Sequence, residues 1–395
     1  MTEAASLETQ ADKAASAGEF LAARSLLEQA VDLSGTTVRL WVKLSAMCKA
    51  SGDLQGAQRA IDRALEVSPL DIQALLSRAV ILDNLGHPDA GQAYEFAVAQ
   101  IPSDEDLPPE WQTALAYAHK RRDDYRRTLG RYLSMNIPPD LSPEERSRAE
   151  RFISNRTRTT MHYHQEPSDF HFPGLPEVEF HERPLFEGLE QLEDSTEGIR
   201  AEFQALLSAE AAEMEPYVRF PDRAPLRQWK ELNNNPKWTA IHLLQNGWRV
   251  EANARHCPQT MAAISKMDQP CVPGASPTAM FSLLAPRTHI PPHRGATNTR
   301  LVCHLPLIVP PNCGFRVGAT TREWKVGEAF VFDDTIEHEA WNDSDELRVI
   351  LILDLWAPAL TSGDRRTVAA MIGASNANFV AARDGNDSPQ MRDKG

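Results

Sequence analysis

Along the first third of the chain, apolar residues recur at helical spacing: Leu26, Leu27 and Val31, then Ala60, Ile61 and Leu65, with polar residues between them. Stripes of this period predict amphipathic helices that bury one face. Pro138-Pro139-Asp140-Leu141-Ser142-Pro143-Glu144-Glu145 opens a further helix, with Ser142 as N-cap, Pro143 at the first position and acids in the first turn, ending near Arg158. Residues 159–176 lose all periodicity and predict a connector. Residues 185–215 return to helical spacing through Leu185, Phe186, Leu189, Leu192, Ile199, Phe203, Leu206 and Leu207. From about Lys237 the period becomes two. Short runs at 238–244, 279–284, 300–309, 314–317, 329–332 and 347–355 are separated by Pro, Gly and Asn turns, as in antiparallel sheet.

Gly18, Gly52 and Gly86 are spaced by 34 residues, the period of the tetratricopeptide repeat. Small residues follow each glycine five positions on, at Ala23, Ala57 and Gly91, and recur at Ala30 and Ala64, with Val98 in the third repeat. Pro88 is tolerable only in the first turn of its helix. Three repeats are about the minimum for a stable stack, so residues 108–132 are expected to add a capping helix pair. The expected fold class is therefore an N-terminal helical solenoid of tetratricopeptide type, followed by a double-stranded β-helix of the jelly-roll or cupin kind with flanking helices. The boundaries read as 1–135 for the repeats and caps, 136–176 for helix and connector, 177–375 for the jelly roll, and 376–395 for a polar tail.

Composition narrows the function classes. The chain has 395 residues with Asp plus Glu at 55 against Lys plus Arg at 41, a formal charge of -14, which argues against nucleic acid and anionic lipid as partners. The basic cluster of Lys120, Arg121, Arg122, Arg126, Arg127 and Arg131 is interrupted by Asp123 and Asp124 and reads as a solvated helix face. The N-terminus shows neither a basic nor an apolar leader region, and no apolar run has membrane-spanning length, so a cytoplasmic protein away from membranes is expected. Five cysteines without a CxxC pair signal neither a disulfide framework nor a zinc ribbon, and pairing of Cys257 with Cys271 is left open. His162-Tyr163-His164 alternates as metal ligands can, but no third partner lies nearby in sequence, and the pair reads as incidental.

The candidate chemistry lies further on. His293-Arg294-Gly295 is followed by His338 and then Arg348, each on a segment that reads as strand or strand edge. Two neutral imidazoles bind Fe(II) and leave positions open for a chelating 2-oxo acid and O2, while a following arginine holds a carboxylate bidentately. The usual motif is His-x-Asp, and Gly295 cannot ligate. Period-two alternation puts Arg300, Val302 and His304 on one strand face, and Arg348, Ile350, Ile352 and Asp354 on another.

The stretch from Met280 to Leu305 resembles the aspartyl/asparaginyl β-hydroxylase family, in which the carboxylate ligand is absent. So do Trp324-Lys325-Val326-Gly327 onward through Asp343 and Arg348 through Pro358. Phe172-Pro173-Gly174-Leu175-Pro176 and Lys237-Trp238-Thr239 are weaker matches. The resemblance implies Fe(II) on His293 and His338, with 2-oxoglutarate and O2 as cosubstrates. It places Arg348 and Ser282 on the distal carboxylate of 2-oxoglutarate and His304 on the proximal one. Arg300, His289 and Arg294 are candidate substrate contacts, with Arg300 the strongest. Asp333 and Asp334 are expected in a turn or behind the ligands, where carboxylates often orient imidazoles. The implied reaction hydroxylates the β-carbon of an Asp or Asn residue in a peptide or protein, releasing succinate and CO2. The repeats themselves read either as a concave surface for a protein partner or as a helical appendage that stabilises the catalytic domain. Animal members of the family carry a second basic residue where this chain has Val302, which weakens transfer of the acidic substrate. The alternatives are a 2-oxoglutarate oxygenase on another substrate, including a halogenase exploiting Gly295, and a non-catalytic repeat adaptor.

Overall fold

The computed structural model describes residues 2–34, 37–101, 109–221, 223–272 and 274–386, divided between two compact units, Met1–Met161 and His162–Gly395. In the first, α1 (Glu3–Ser16) and α2 (Phe20–Ser34), α3 (Val38–Ala50) and α4 (Leu54–Val67), and α5 (Ile72–Asn84) and α6 (Ala90–Ala99) form three successive helix pairs. The three periodic glycines close the first helix of each pair with φ of 81°, 85° and 64°. A Cβ there would meet nothing within 4 Å, so the backbone angle and not space selects glycine. The residue after each glycine donates its N–H five residues back, Glu19 to Ala14, Asp53 to Cys48 and His87 to Leu82, each at 2.9 Å. This is the Schellman closure in triplicate.

Ala23, Ala30, Ala57 and Ala64 are fully buried between helices, as the pattern predicts. In the third repeat the buried small residue is Ala97 and Val98 is only partly covered. Residues expected to form a capping helix pair instead form one long helix, α7 (Pro109–Ser134), with Gly130 accommodated in its last turns, followed by α8 (Pro143–Arg156). Ser142 and Glu145 make the reciprocal capping box that the sequence announced. The α7 arginines are not merely solvated. Arg121 grips Asp83 with two hydrogen bonds of 2.7 Å, and Arg126 pairs with Glu95, fastening α7 to the preceding pair.

The boundary falls at 161/162, so the connector packs with the second unit and α8 with the first, in contrast to the expected separate segment at 136–176. The second unit opens with α9 (Leu189–Asp194) and α10 (Thr196–Ser208), then β1 (Glu215–Pro216), β2 (Trp238–Gln245), β3 (Trp248–Arg249), α11 (Glu251–Ala254) and α12 (Pro258–Ile264). The remaining strands are β4 (Ala279–Leu284), β5 (Thr288–His293), β6 (Arg300–Ile308), β7 (Cys313–Val317), β8 (Thr320–Arg322), β9 (Phe330–Phe332), β10 (His338–Asn342) and β11 (Arg348–Trp356). A final helix, α13 (Ser362–Asn386), runs past the expected edge of the domain at 375, and the last residues of the predicted tail lie outside the described residues.

The strands form two antiparallel sheets. The larger has the order β1-β2-β4-β11-β6-β9 with β3 on β2, and the smaller the order β5-β10-β7-β8. Strand β11 is buried along its whole length because both faces are covered. Val349, Leu351, Leu353 and Leu355 join a core with Leu192, Ile199 and Phe203 of α9 and α10. Ile350 and Ile352 point the other way, into a second core shared with Ile290, Phe315 and Ala340 of the smaller sheet. The period-two expectation is met, and the polar residues on the inner face therefore lie between the sheets. All five cysteines are free, Cys257 buried and Cys271 exposed, so those two do not pair.

Candidate active site

Strands β5 and β10 are neighbours, and their register sets His338 directly opposite His293. The two rings lie 4.0 Å apart at 51°. Each Nδ1 faces the carbonyl oxygen two residues before it, 2.8 Å from Pro291 for His293 and 3.1 Å from Ile336 for His338. A carbonyl only accepts, so each Nδ1 carries the proton and each Nε2 keeps its lone pair. Burial pushes the ring pKa of His293 down to about 3, with the His338 ring adding to the effect, and burial pushes that of His338 down to about 4. Both rings are neutral at pH 7. Carboxylates were expected to orient the imidazoles, but backbone carbonyls do so. Asp333 instead closes its own turn, accepting the Thr335 N–H at 2.9 Å and hydroxyl at 2.6 Å as well as the Gln165 amide.

A side chain at position 295 would collide with the Asp334 carboxylate, and the Gly295 N–H donates to the Asp334 carbonyl at 2.6 Å. The glycine that breaks His-x-Asp is thus required by a carboxylate arriving from the β9–β10 turn. That carboxylate is held by Arg300 at 3.3 Å, and its Oδ1 is buried without a hydrogen-bond partner.

The cavity between the sheets has a volume of about 760 Å³, and His293, His338, Ser282, His304, Arg300, Arg294 and Arg348 all line it. Arg348, at the start of β11, is 1% exposed. Its Nη1 donates weakly to the Ser282 carbonyl at 3.4 Å, its guanidinium lies 5.0 Å over the Trp324 ring, and its Nε has no partner. Arg348 makes no ion pair among the described residues, and burial lowers its pKa to about 10. An uncompensated buried cation costs several kcal/mol, which a carboxylate would offset. Ser282 lies beside it on β4, its Oγ accepting the Trp238 indole N–H at 3.1 Å. His304 on β6 accepts the Trp324 indole N–H on Nδ1 at 3.4 Å, so its Nε2 carries the proton as a donor. Burial, then Arg348 and His338, hold its pKa well below the usual histidine range.

The three substrate candidates fare differently. Arg300 faces the cavity but is held by two buried carboxylates, Asp354 at 3.0 Å and Asp334 at 3.3 Å. Burial alone would lower its pKa, and those two acids raise it instead. Arg294 reaches the rim and pairs with Glu166 at 3.2 Å and Glu337 at 3.5 Å. His289 does not reach the cavity: its exposed ring turns to the outer face of the small sheet and bonds Glu339 at 2.8 Å, because alternation along β5 aims Thr288 and Ile290 inward. One wall was not foreseen. Tyr217 stacks on Trp238 at 3.8 Å and 8°, and Trp229 meets the His293 ring edge-on at 5.1 Å. Only Trp238 carried a signal, through the Lys237-Trp238-Thr239 match.

The donor set suits a ferrous ion: two neutral imidazoles with free Nε2 atoms on adjacent strands, beside a buried guanidinium without a counter-ion. Residues 193–358 match the model of the aspartyl/asparaginyl β-hydroxylase family. Among curated proteins the chain is similar to an ornithine lipid ester-linked acyl 2-hydroxylase of Rhizobium tropici, 42% identical over 33% of this chain and 45% of that one. It is also similar to the mouse aspartyl/asparaginyl β-hydroxylase, 36% identical over 36% of this chain and 19% of that one. A third relative is the human aspartate β-hydroxylase domain-containing protein 2, 30% identical over 52% of this chain and 54% of that one. The chain thus spans about half or less of the length of these relatives. Among solved structures the likeness is weak. The neighbours include the Yersinia enterocolitica secretion chaperone SycD with a YopD peptide, at TM-score 0.29 and 15% identity over 31% of this chain and 92% of that one. Another is the Sgt2 tetratricopeptide domain of Aspergillus fumigatus, at TM-score 0.28 and 18% identity over 37% of this chain and 95% of that one. The segment that carries both histidines, Ser282, His304 and Arg348 lies within the residues that match the aspartyl/asparaginyl β-hydroxylase family model.

Proposed function

We propose that the second unit is an Fe(II)- and 2-oxoglutarate-dependent dioxygenase of jelly-roll type that hydroxylates the β-carbon of an Asp or Asn residue in a peptide or protein. The observation that carries this reading is the buried, unpaired Arg348 beside the cross-strand His293–His338 pair. Iron held by the two Nε2 atoms would supply the O2 chemistry, with 2-oxoglutarate converted to succinate and CO2 as the substrate gains one oxygen atom. Arg348 receives the distal carboxylate of 2-oxoglutarate with help from the Ser282 hydroxyl. His304 offers its Nε2–H to the proximal carboxylate. The Tyr217–Trp238–Trp229 wall excludes water from the reacting side. The helical unit, on the same reading, offers a surface for a protein partner.

A specific observation favours a second substrate class. Arg219, Arg294 and Arg300 line the cavity, and each is paired with acids: Glu215 at 2.8 Å, Glu166 and Glu337, and Asp334 and Asp354. With Val302 apolar, Arg348 is the one described cavity arginine that is not already neutralised. An acidic side chain would gain little there, whereas Asn or a neutral acyl chain, the substrate named for the Rhizobium relative, would meet no unmet charge. Succinate release is to be measured with Asp peptides, Asn peptides and ester-linked acyl lipids, with mass spectrometry for the added oxygen. Turnover of either peptide supports the first reading, with Asn above Asp expected from the neutralised arginines. Turnover of the lipid alone replaces it with the second.

A further inference from the structure

The connector carries a second set of metal-ligating side chains. His162 and His164 are two residues apart with ring centroids 4.2 Å from each other, and the chain returns thirteen residues after His164 to bring Glu177 against them. The His162 Nδ1 and His164 Nε2 atoms are 3.1 Å apart, His164 Nδ1 lies 3.0 Å from Glu177 Oε2, and His162 Nε2 lies 3.9 Å from the same oxygen. One ligand atom from each residue falls within 4.8 Å of the other two. A tetrahedral ion with bonds of about 2.1 Å sets its ligands about 3.4 Å apart; with His162 Nε2 and His164 Nδ1 as donors, the distances to Glu177 Oε2 are 3.9 and 3.0 Å, which bracket that value. Among the described residues, no other cluster of three such side chains meets that condition.

We infer that His162, His164 and Glu177 form a second metal site, separate from the two-histidine site, that takes a borderline divalent ion of the zinc class with water completing the tetrahedron. Two imidazoles and one carboxylate are the ligand types zinc accepts at sites with three protein ligands and one open position. The carboxylate is already placed: Glu177 Oε1 accepts the backbone N–H of Gln165 at 3.1 Å, which leaves Oε2 for the ion. Both rings are more than half exposed, so they turn onto a common centre without disturbing a core. Bound metal exchanges hydrogen bonds in contact with water for coordinate bonds.

The location gives such an ion a structural consequence. Gln165, the residue after His164, reaches the buried Asp333 and donates to the Pro176 carbonyl at 3.2 Å. Glu166 and Ser168 then donate their N–H groups to the carbonyls of Thr335 and Gly295, at 2.9 and 2.8 Å. Residues 162–177 therefore brace both turns that carry the His293–His338 pair, and a metal closing this loop fastens the brace.

The experiment uses the full-length chain without a polyhistidine tag and with His293→Ala and His338→Ala, so that the two-histidine site is removed. Titration with Co(II) is expected to give one equivalent with the intense visible absorption of a tetrahedral site. Zinc is expected to displace the cobalt and to raise the melting temperature. Addition of His162→Ala and His164→Ala should abolish the band, and Glu177→Gln should weaken binding while leaving the circular dichroism spectrum of the metal-free protein unchanged. No visible cobalt equivalent, or one that survives loss of both connector histidines, overturns the site. A failure of iron to bind the unaltered protein would leave this result untouched.

Discussion

His293 and His338 are direct cross-strand partners, and each ring is locked in the same tautomer by the carbonyl two residues before it. Two ligands on adjacent antiparallel strands need no loop to bring them together. The sheet register is the positioning device, and one β-bulge beyond His338 separates this pair from the regular ladder that follows.

Arg348→Met should stabilise the metal-free protein while removing its response to 2-oxoglutarate. The wild-type guanidinium is buried with an unpartnered Nε, and replacement by an apolar chain of similar length relieves about 1–3 kcal/mol. Thermal unfolding with and without 2-oxoglutarate checks both halves. A variant less stable than wild type would mean that the arginine has a counter-charge within the fold.

Gly295→Ala should destabilise the second unit by about 1–3 kcal/mol, because the new methyl meets the Asp334 carboxylate. Asp334→Ala in the same chain should recover much of the loss, a coupling readable from a double-mutant cycle on melting temperatures. Additive losses would show that the two residues do not share this space. Gly295→Asp, which would write the usual His-x-Asp motif, is expected to destabilise further.

Much of this site was legible in the sequence. Arg300, Val302 and His304 share a face because β6 alternates, and Arg348 points between the sheets because β11 does. Strand β5 was harder to see, since Pro291 and Pro292 argue against a ladder. It is tolerated because β5 is the edge of its sheet. The pairing of Arg300 with Asp334 and Asp354 joins residues 34 and 54 positions apart, and no local pattern reports it. His162 and His164 looked incidental for the same reason, because Glu177 becomes their neighbour only when the connector folds back.

Gly52→Ala tests the repeat reading independently of the active site. The added Cβ touches nothing, but φ at 85° costs an L-residue about 1–2 kcal/mol. The loss should appear in the unfolding of the helical unit alone. An unchanged melting temperature would contradict the Schellman closure described for α3.

His181 supplies a pH test away from the metal ligands. Burial lowers its pKa from 6.5 to about 4, and its Nε2 has no partner. Between those values the unfolded chain binds a proton that the folded chain refuses, so the contribution to stability falls as pH drops from 6.5 toward 4. His181→Phe removes this proton. The stability of wild type relative to the variant should therefore decline across that window and level off above it. A difference independent of pH would place the ring in water.

The most direct measurement is anaerobic titration of the full-length protein with Fe(II) and 2-oxoglutarate, monitored in the visible for the metal-to-ligand charge-transfer band. A band that requires both additions, disappears in His338→Ala and weakens in Arg348→Ala is the predicted result. Well-folded protein that gives no band, or a band indifferent to both substitutions, would contradict the oxygenase site.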